Sequence, residues 1–193
     1  MQKQDLRVIK TRRNIRASFI RLLSEKSFSA VTVQNILDEA LINRTTFYRH
    51  YDSKYALAEE LNGEIMERFE LLLASSLQDR SEPEKLLRSV GRLAETFRQD
   101  RETIMALWNV REEGLDLYVD MEKLMRQKFR SFLETAASED DNLDYQTAVM
   151  TALILNTFRY LLESEEDYTV KELTLQVQRL MKKHLLKIHQ ETF

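Results

Sequence analysis

The sequence predicts an all-α protein of about nine helices, in which a small three-helix module is followed by a larger helical domain. Only 3 glycines and 1 proline occur in 193 residues, too few turn formers for a β-sandwich or a barrel. The commonest residues are helix formers such as Leu, Glu, Lys, Arg and Ala. Apolar residues recur at helical spacing, and no segment alternates as a strand would.

The first 77 residues are predicted to form four helices. The first begins within residues 5–10 and ends within residues 26–28, with apolar positions at Ile15, Phe19, Leu22 and Leu23. Each of the next three should begin after a side chain that can accept a hydrogen bond from a helix N-terminus. These caps and helices are Thr32 before 33–40, Asn43 before 44–50, and Ser53 before 54–77.

The rest of the chain is predicted to form five further helices. Pro83 belongs in the first turn of one of them, where its missing N–H does no harm. The predicted ranges are 83–99, 101–111, 115–136, 145–163 and 169–189. We expect two domains, one over residues 1–54 and the other over residues 55–193.

Charge divides at the same point in the chain. Residues 1–54 carry 11 Lys and Arg against 5 Asp and Glu, whereas the remainder carries 18 against 27. A basic head on an acidic body is typical of a protein in which only the head meets a polyanion, although such an imbalance also arises by chance.

Other features restrict the location and chemistry of the protein. The N-terminus has no uninterrupted apolar run of the kind found in signal peptides, and no segment has the roughly 20 apolar residues that span a bilayer. We therefore expect a soluble cytoplasmic protein with no membrane contact. The absence of cysteine excludes disulfides, thiolate metal sites and a cysteine nucleophile.

Residues 32–57 carry the most informative pattern, TVQNILDEALINRTTFYRHYDSKYAL. Two short helices joined by a tight turn at 41–43 match a helix-turn-helix, whose second helix lies in the major groove of DNA. That second helix is rich in hydrogen-bond donors, with few acidic neighbours. Phe47 and Tyr51 are expected to pack in the core beneath it.

The same residues resemble the DNA-binding domain of the TetR family of bacterial transcriptional regulators (TetR/AcrR type). The resemblance covers about residues 7–60 and depends on Thr32, Ala40, Thr46, Tyr48, Tyr51 and Lys54 at their present spacing. Leu41 departs from the family pattern, since the family usually has glycine at this turn. Ser27 likewise stands in place of a common family glycine.

The resemblance implies a role for individual residues. Arg44, Thr45 and Gln34 would face base edges, with Arg44 suited to a guanine. Thr46 would reach a base methyl group or the backbone. Phosphate contacts would come from Thr32, Tyr48, His50 and Lys54, and Arg49 is a further candidate.

Aromatic residues and methionines in the middle helices could line an apolar ligand pocket, although at helical spacing such residues are more often core. Arg111, Asn156 and Arg159 could hold a bound anion, although ordinary salt bridges to Glu112, Glu113 or Glu163 are the simpler expectation. The candidate ligand-binding residues are Phe97, Met105, Trp108, Tyr118, Met121, Met125, Phe129, Asn156 and Arg159.

The resemblance also implies a homodimer formed by the last two helices. Apolar stripes support this independently, because they are wide for helices buried within one subunit. The stripes contain Leu173, Val177, Leu180 and Leu185 in one helix, widened by Met181 and Ile188, and Ala148, Val149, Ala152, Leu153 and Leu155 in the other. Such a dimer would place two recognition helices on a near-palindromic operator of double-stranded DNA.

These features predict a DNA-binding regulator, most simply a repressor released by an unknown small-molecule or protein effector in the C-terminal domain. The alternative is a helical regulator or adaptor whose C-terminal domain binds a partner protein of the co-activator type. No glycine-rich phosphate loop, nucleophile elbow or His–Glu metal spacing occurs in the sequence. We therefore expect no catalytic residues, no metal site and no cofactor.

Overall fold

The computed structural model describes residues 3–77, 95–135, 137–164 and 170–180, and the regular secondary structure within them is helical. Two single-turn 3₁₀-helices lie at Phe28–Ala30 and Arg98–Asp100. The α-helices are α1 (Lys3–Glu25), α2 (Val33–Ala40), α3 (Arg44–Tyr48), α4 (Lys54–Ser76), α5 (Arg101–Leu107), α6 (Leu117–Glu134), α7 (Leu143–Glu163) and α8 (Val170–Leu180). The predicted all-α class is confirmed.

The predicted helix positions agree with these bounds, with differences at the ends. Helix α2 spans the predicted range, whereas α3 ends at Tyr48 because residues 49–50 form a turn. Of the predicted helix 83–99, residues 95–97 are helical and 83–94 lie outside the described residues. The part of the last predicted helix beyond residue 180 also lies outside them.

The three predicted N-caps are confirmed. Thr32 Oγ1 accepts from the amide of Asn35 at 3.1 Å, and the Asn35 side chain accepts from the amide of Thr32 at 3.1 Å, which completes a capping box. Asn43 Oδ1 accepts from the amide of Thr46 at 2.8 Å. Ser53 Oγ accepts from the amide of Ala56 at 3.1 Å. Polar side chains therefore fix where α2, α3 and α4 begin.

Leu41 makes the turn between α2 and α3. Its backbone is left-handed, with φ 52° and ψ 45°, a region that favours glycine. Its amide donates to the carbonyl of Asp38, and the amide of Ile42 donates to the carbonyl of Leu37. The side chain is 92% exposed. Leucine therefore adopts the conformation that glycine would adopt more easily.

The chain divides into two compact units, the first of which comprises Met1–Arg68 and Gln99–Met121. Within it α1 contacts both α2 and α5. The predicted apolar face of α1 is buried, and Phe28, Ile36, Leu37, Phe47 and Tyr51 are buried with it. The expectation that Phe47 and Tyr51 belong to the core is confirmed. This core holds the short helices α2 and α3.

The second unit comprises Phe69–Arg98 and Glu122–Phe193. Its core contains the rings of Phe69, Phe97 and Phe158, whose centroids lie 5.9–6.2 Å apart. Thr147 and Thr151, one turn apart on α7, are buried with them. Neither hydroxyl has a hydrogen-bond partner among the described residues. Two polar atoms are thus left unsatisfied in an otherwise apolar core.

Helix α4 contains Gly63 in its interior. A Cβ at this position would meet no atom of the described residues within 4 Å, so packing does not require glycine here. Across the described parts of the chain, no helix combines the length and apolarity needed to cross a bilayer.

Candidate nucleic-acid interface

Helix α3 has one buried and one exposed side. Phe47 is fully buried, and its ring meets the ring of Tyr48 edge-on at 5.5 Å. The exposed residues of α3 and the turn after it are Arg44, Thr45, Tyr48 and Arg49. The guanidinium of Arg44 lies 5.9 Å from the centre of the Tyr48 ring, within the range of a cation–π contact. Helix α3 and the turn after it thus present two cations and a phenol to solvent.

Polar side chains at the ends of α2 and α3 are partly engaged within the protein. The hydroxyl of Thr32 accepts from a backbone amide, which leaves its own O–H free to donate to a phosphate. Gln34 is exposed, and its side-chain nitrogen donates to Asp38 at 2.8 Å. Thr46 is half-buried and donates to the Asn43 side chain at 2.8 Å. A base contact through the Thr46 O–H would therefore compete with its bond to Asn43, whereas the bond to Asp38 leaves Gln34 a second N–H and its carbonyl oxygen.

Residues after α3 are anchored to α1 and α4. The buried hydroxyl of Tyr51 donates to Glu60 Oε1 at 2.8 Å and accepts from Arg12 Nε at 3.3 Å. Arg12 also forms a salt bridge with Glu60. Burial raises the pKa of Tyr51, with a further increase from its bond to Glu60 and an opposing effect of Arg12. His50, half-buried, has its ring centre 6.4 Å from that of Tyr51.

Lys54 is bound to backbone carbonyl groups. Its Nζ lies 2.7 Å from the carbonyl oxygen of Phe28, 2.7 Å from that of Val31 and 3.4 Å from that of Ser29. It also lies 4.4 Å from the centre of the Phe28 ring. Burial lowers the pKa of Lys54, and the nearby carboxylate of Glu112 opposes that shift. The sequence pattern predicts a phosphate contact for Lys54 and does not indicate these contacts within the protein.

Two further contacts of α1 were also missed. Asn14 donates to the carbonyl of Ala40, the last residue of α2, at 2.6 Å. Arg21 forms a salt bridge with Glu39, also on α2. Because the polar partners are 18–26 positions apart in sequence, no local pattern identifies them. These bonds hold α2, and with it the turn into α3, against α1.

The candidate ligand-binding residues are divided between the two units. In the first unit Trp108 and Met121 are buried, Met105 and Tyr118 are half-buried, and the rings of Trp108 and Tyr118 meet edge-on at 5.9 Å. In the second, Phe97, Met125 and Phe129 are buried, whereas Asn156 and Arg159 are exposed. Asn156 donates to the carbonyl of Ala152 at 2.8 Å, and Arg159 to Glu163 at 2.6 Å. The expected anion contacts at these two positions stay a prediction.

Helix α7 carries an exposed apolar stripe. Tyr145, Val149 and Leu153 follow at four-residue intervals and are 68%, 47% and 38% exposed. Ala152 is exposed beside them. Leu155, placed by the sequence pattern in the same stripe, is instead buried in the protomer. In the described part of α8, Leu175 and Leu180 are exposed as well.

The described residues do not bring metal-binding side chains together. No group of three or more His, Asp or Glu residues among them is placed so that it could hold a metal ion. His184 and His189 lie outside the described residues.

Comparison with known proteins gives matches to both the sequence and the fold. Residues 15–61 match the profile of the family described as bacterial regulatory proteins, tetR family. The chain is 32% identical over 111 residues to the uncharacterized HTH-type transcriptional regulator YerO of Bacillus subtilis (strain 168), which covers 55% of this chain. The chain spans only 36% of the length of that relative.

Solved structures resemble the fold over most of the chain. A TetR transcriptional regulator from Streptococcus agalactiae 2603V has a TM-score of 0.61 at 23% identity, covering 92% of this chain and 96% of its own. A tetR-family regulatory protein from Rhodococcus RHA1 has a TM-score of 0.64 at 17% identity, covering 90% and 96%. AibR, solved in complex with isovaleryl coenzyme A and operator DNA, has a TM-score of 0.57 at 16% identity, covering 88% and 97%.

Proposed function

We propose, from the premise that the helix-turn-helix domain of this chain belongs to the TetR family, that the protein is a sequence-specific DNA-binding transcriptional regulator acting as a homodimer. The observation that carries this proposal is the exposed side of α3. Arg44 and Tyr48 lie there, Arg49 follows in the turn, and residues 44–49 include no acidic side chain. Such a surface suits the donor and acceptor pattern of the major groove and the phosphates beside it.

Arg44 is the residue best suited to read a base. It lies at the first position of α3, and the N-terminal residues of a recognition helix contact base edges. Its guanidinium fork matches O6 and N7 of guanine and discriminates by about 1–3 kcal/mol. Tyr48, one turn further on, would support Arg44 by its ring and reach a phosphate by its hydroxyl.

Homodimerisation is supported by the exposed stripe of α7. A row of two aliphatic residues and a tyrosine at four-residue spacing is suited to pack against the same row of a second copy. A dimer would double the contacts to a near-palindromic operator. Because binding of one head keeps the other near its half-site, the dimer would bind more tightly than one head alone.

Regulation by an effector completes the proposal. An effector that prefers one arrangement of the dimer shifts operator binding by its differential affinity for the two states. Repression released by a small molecule is the form we propose. AibR, similar in fold, was solved with both isovaleryl coenzyme A and operator DNA. A partner protein in the C-terminal domain is the alternative.

The test is selection of bound DNA from a random pool, followed by titration of the enriched sequence with wild type, Arg44→Ala and Arg126→Ala. Arg126 is an exposed arginine of the second unit and serves as the matched control. We expect a near-palindrome, an affinity loss of at least roughly tenfold for Arg44→Ala, and no change for Arg126→Ala. If folded wild type enriched no sequence at low salt, the proposal would be wrong.

The sign of regulation needs a separate measurement. Transcription in vitro from a promoter carrying the selected operator should fall when the regulator is added. An increase in transcript would show that the protein activates transcription, and it would not contradict DNA binding.

A further inference from the structure

We propose that Lys54 is a positioning residue that fixes the start of α2, and not a phosphate ligand as its place in the motif implies. This inference rests on the proposed DNA-binding function and reassigns one residue within it. The phosphate role is the simplest expectation for a lysine next to a recognition helix. In this chain, however, the ammonium group already has two close acceptors and a third at a longer distance.

The ammonium group of Lys54 makes its contacts with backbone carbonyls and with an aromatic ring. A lysine has three N–H donors, and Nζ of Lys54 lies 2.7, 2.7 and 3.4 Å from three carbonyl oxygens of residues 28–31. The face of the Phe28 ring, 4.4 Å away, adds a cation–π contact. Two of the three N–H groups are thus held by short bonds to the protein, so a phosphate would compete for the third or displace one of these bonds.

The carbonyls bound by Lys54 belong to the 3₁₀-turn before α2 and to the residue after that turn. Phe28 begins the 3₁₀-turn, and Val31 directly follows its last residue. Val31 directly precedes Thr32, the N-cap of α2. Lys54 is the first residue of α4, so one side chain ties the N-terminus of α4 to the point where α2 begins. Charge-assisted bonds of this kind are stronger than neutral ones.

The hydrogen bonds of Lys54 act on the recognition helix α3 through α2. Helix α2 passes to α3 through the hydrogen-bonded turn at Leu41, and Asn43 caps α3 directly after it. The direction of α2 therefore sets the direction of α3. When the Lys54 bonds are lost, Arg44 should move relative to base edges even though the domain remains folded. Affinity for DNA depends on such placement more than on the bonds of Lys54 itself.

The salt dependence of binding separates the two roles. The logarithm of the binding constant falls with the logarithm of salt concentration by about 0.9 for each phosphate contacted. A lysine that binds one phosphate in each half-site therefore contributes about 1.8 to the slope of a dimer. A positioning residue contributes nothing to it directly.

The experiment uses the full chain with Lys54→Met, which keeps the aliphatic stem and removes the donors, and Arg49→Met as the matched control. We expect Lys54→Met to lose at least roughly tenfold in operator affinity well below its melting temperature, with an unchanged salt slope. For Arg49→Met, a candidate backbone contact exposed beside α3, we expect the slope to fall by about 1.8. A similar fall for Lys54→Met would overturn the proposal, and so would unchanged affinity of the folded variant.

Lys54→Arg keeps the proposal testable if the methionine variant does not fold. An arginine retains the charge and binds phosphate well, but its planar fork cannot donate to three carbonyls from one nitrogen. We expect Lys54→Arg to lose affinity, whereas a phosphate ligand would be replaced without loss. Wild-type affinity in Lys54→Arg would contradict the positioning role.

A measurement without DNA distinguishes failure of this inference from failure of the proposed function. Hydrogen exchange at the amides of Ala30 and Val31, which donate to Ser27 within the turn, should be faster in Lys54→Met than in wild type and Arg49→Met. Equal exchange in all three would contradict the inference while leaving DNA binding untouched. If the wild type bound no operator, faster exchange in Lys54→Met would still establish that Lys54 fixes the turn.

Discussion

A single backbone conformation at Leu41 has an energetic cost that its side chain does not offset. A non-glycine residue in the left-handed region costs on the order of 1 kcal/mol, and a side chain that is 92% exposed gains little from packing. The leucine therefore persists because the surrounding hydrogen bonds hold the turn in shape.

Replacing Leu41 by glycine should stabilise the protein. We expect Leu41→Gly to raise the free energy of unfolding by about 0.5–1 kcal/mol, since relief of strain exceeds the added entropy of the unfolded chain. Leu41→Val should lower it, because a β-branched side chain resists a positive φ most strongly. Chemical denaturation measures both. Destabilisation by glycine would show that the exposed leucine makes a contribution beyond its backbone.

The ionisation of Tyr51 should make the stability of the first unit depend on pH in the alkaline range. We expect Tyr51→Phe to lower the free energy of unfolding by about 1 kcal/mol at neutral pH, since the bonds to Glu60 and Arg12 are lost. The pKa of Tyr51 is raised in the folded protein, so its contribution is complete below the unfolded value of 10.0. It is lost as pH rises through the folded value.

The corresponding measurement is urea denaturation of wild type and Tyr51→Phe at pH 7 and above pH 10. The difference in stability between the two proteins should shrink as the pH rises. A difference that stayed constant across this range would contradict the role assigned to the hydroxyl.

At the scale of a helix, α7 carries two buried hydroxyls that have no partner among the described residues. An unsatisfied buried hydroxyl costs about 1–3 kcal/mol, and valine has nearly the shape of threonine. We therefore expect Thr151→Val to raise the free energy of unfolding by about 1 kcal/mol.

Thr157 on the same helix is the matched control, because its hydroxyl donates to the carbonyl of Leu153 at 2.7 Å. Thr157→Val should leave stability within about 0.5 kcal/mol of wild type. If thermal unfolding showed Thr151→Val to be the less stable variant, the hydroxyl would be bound to a group outside the described residues.

Which elements could be predicted from sequence depended on how local their causes were. The caps of α2, α3 and α4 lie within three residues of the amides that they bind, so Thr32, Asn43 and Ser53 could be identified directly. The turn between α2 and α3 is left-handed although Leu41 stands where glycine is usual, so the helix-turn-helix could be predicted despite this substitution.

Other features depended on residues far apart in sequence. The family resemblance predicts a phosphate contact for Lys54, whereas the fold brings its amine to carbonyls 23–26 positions earlier. The ligand candidates shared helical spacing, a property that also describes core residues, so Asn156 and Arg159 could not be separated from Met125 and Phe129 before their exposure was known.

At the scale of the whole molecule, the proposed dimer depends on the exposed stripe of α7. We expect Leu153→Glu to convert the dimer to a monomer, because a carboxylate would be buried in an apolar interface without a partner. Operator affinity should fall with it, since the two heads would no longer bind as one unit.

Light scattering after size exclusion measures the mass of the variant. Leu71→Glu is the matched control, because Leu71 is a leucine of the same unit that is 65% exposed and lies outside the stripe. It should leave the mass unchanged. A Leu153→Glu protein that kept the mass of a dimer would place the interface elsewhere.

Gly63 gives α4 a mechanical property distinct from its surface chemistry. Glycine is a poor helix former, and here no neighbouring atom of the described residues occupies the space that a methyl group would fill. Glycine therefore lowers the helix propensity of α4 within its 23 residues. Adding a single carbon atom, as in Gly63→Ala, should make this helix more rigid and leave its contacts with the described residues unchanged.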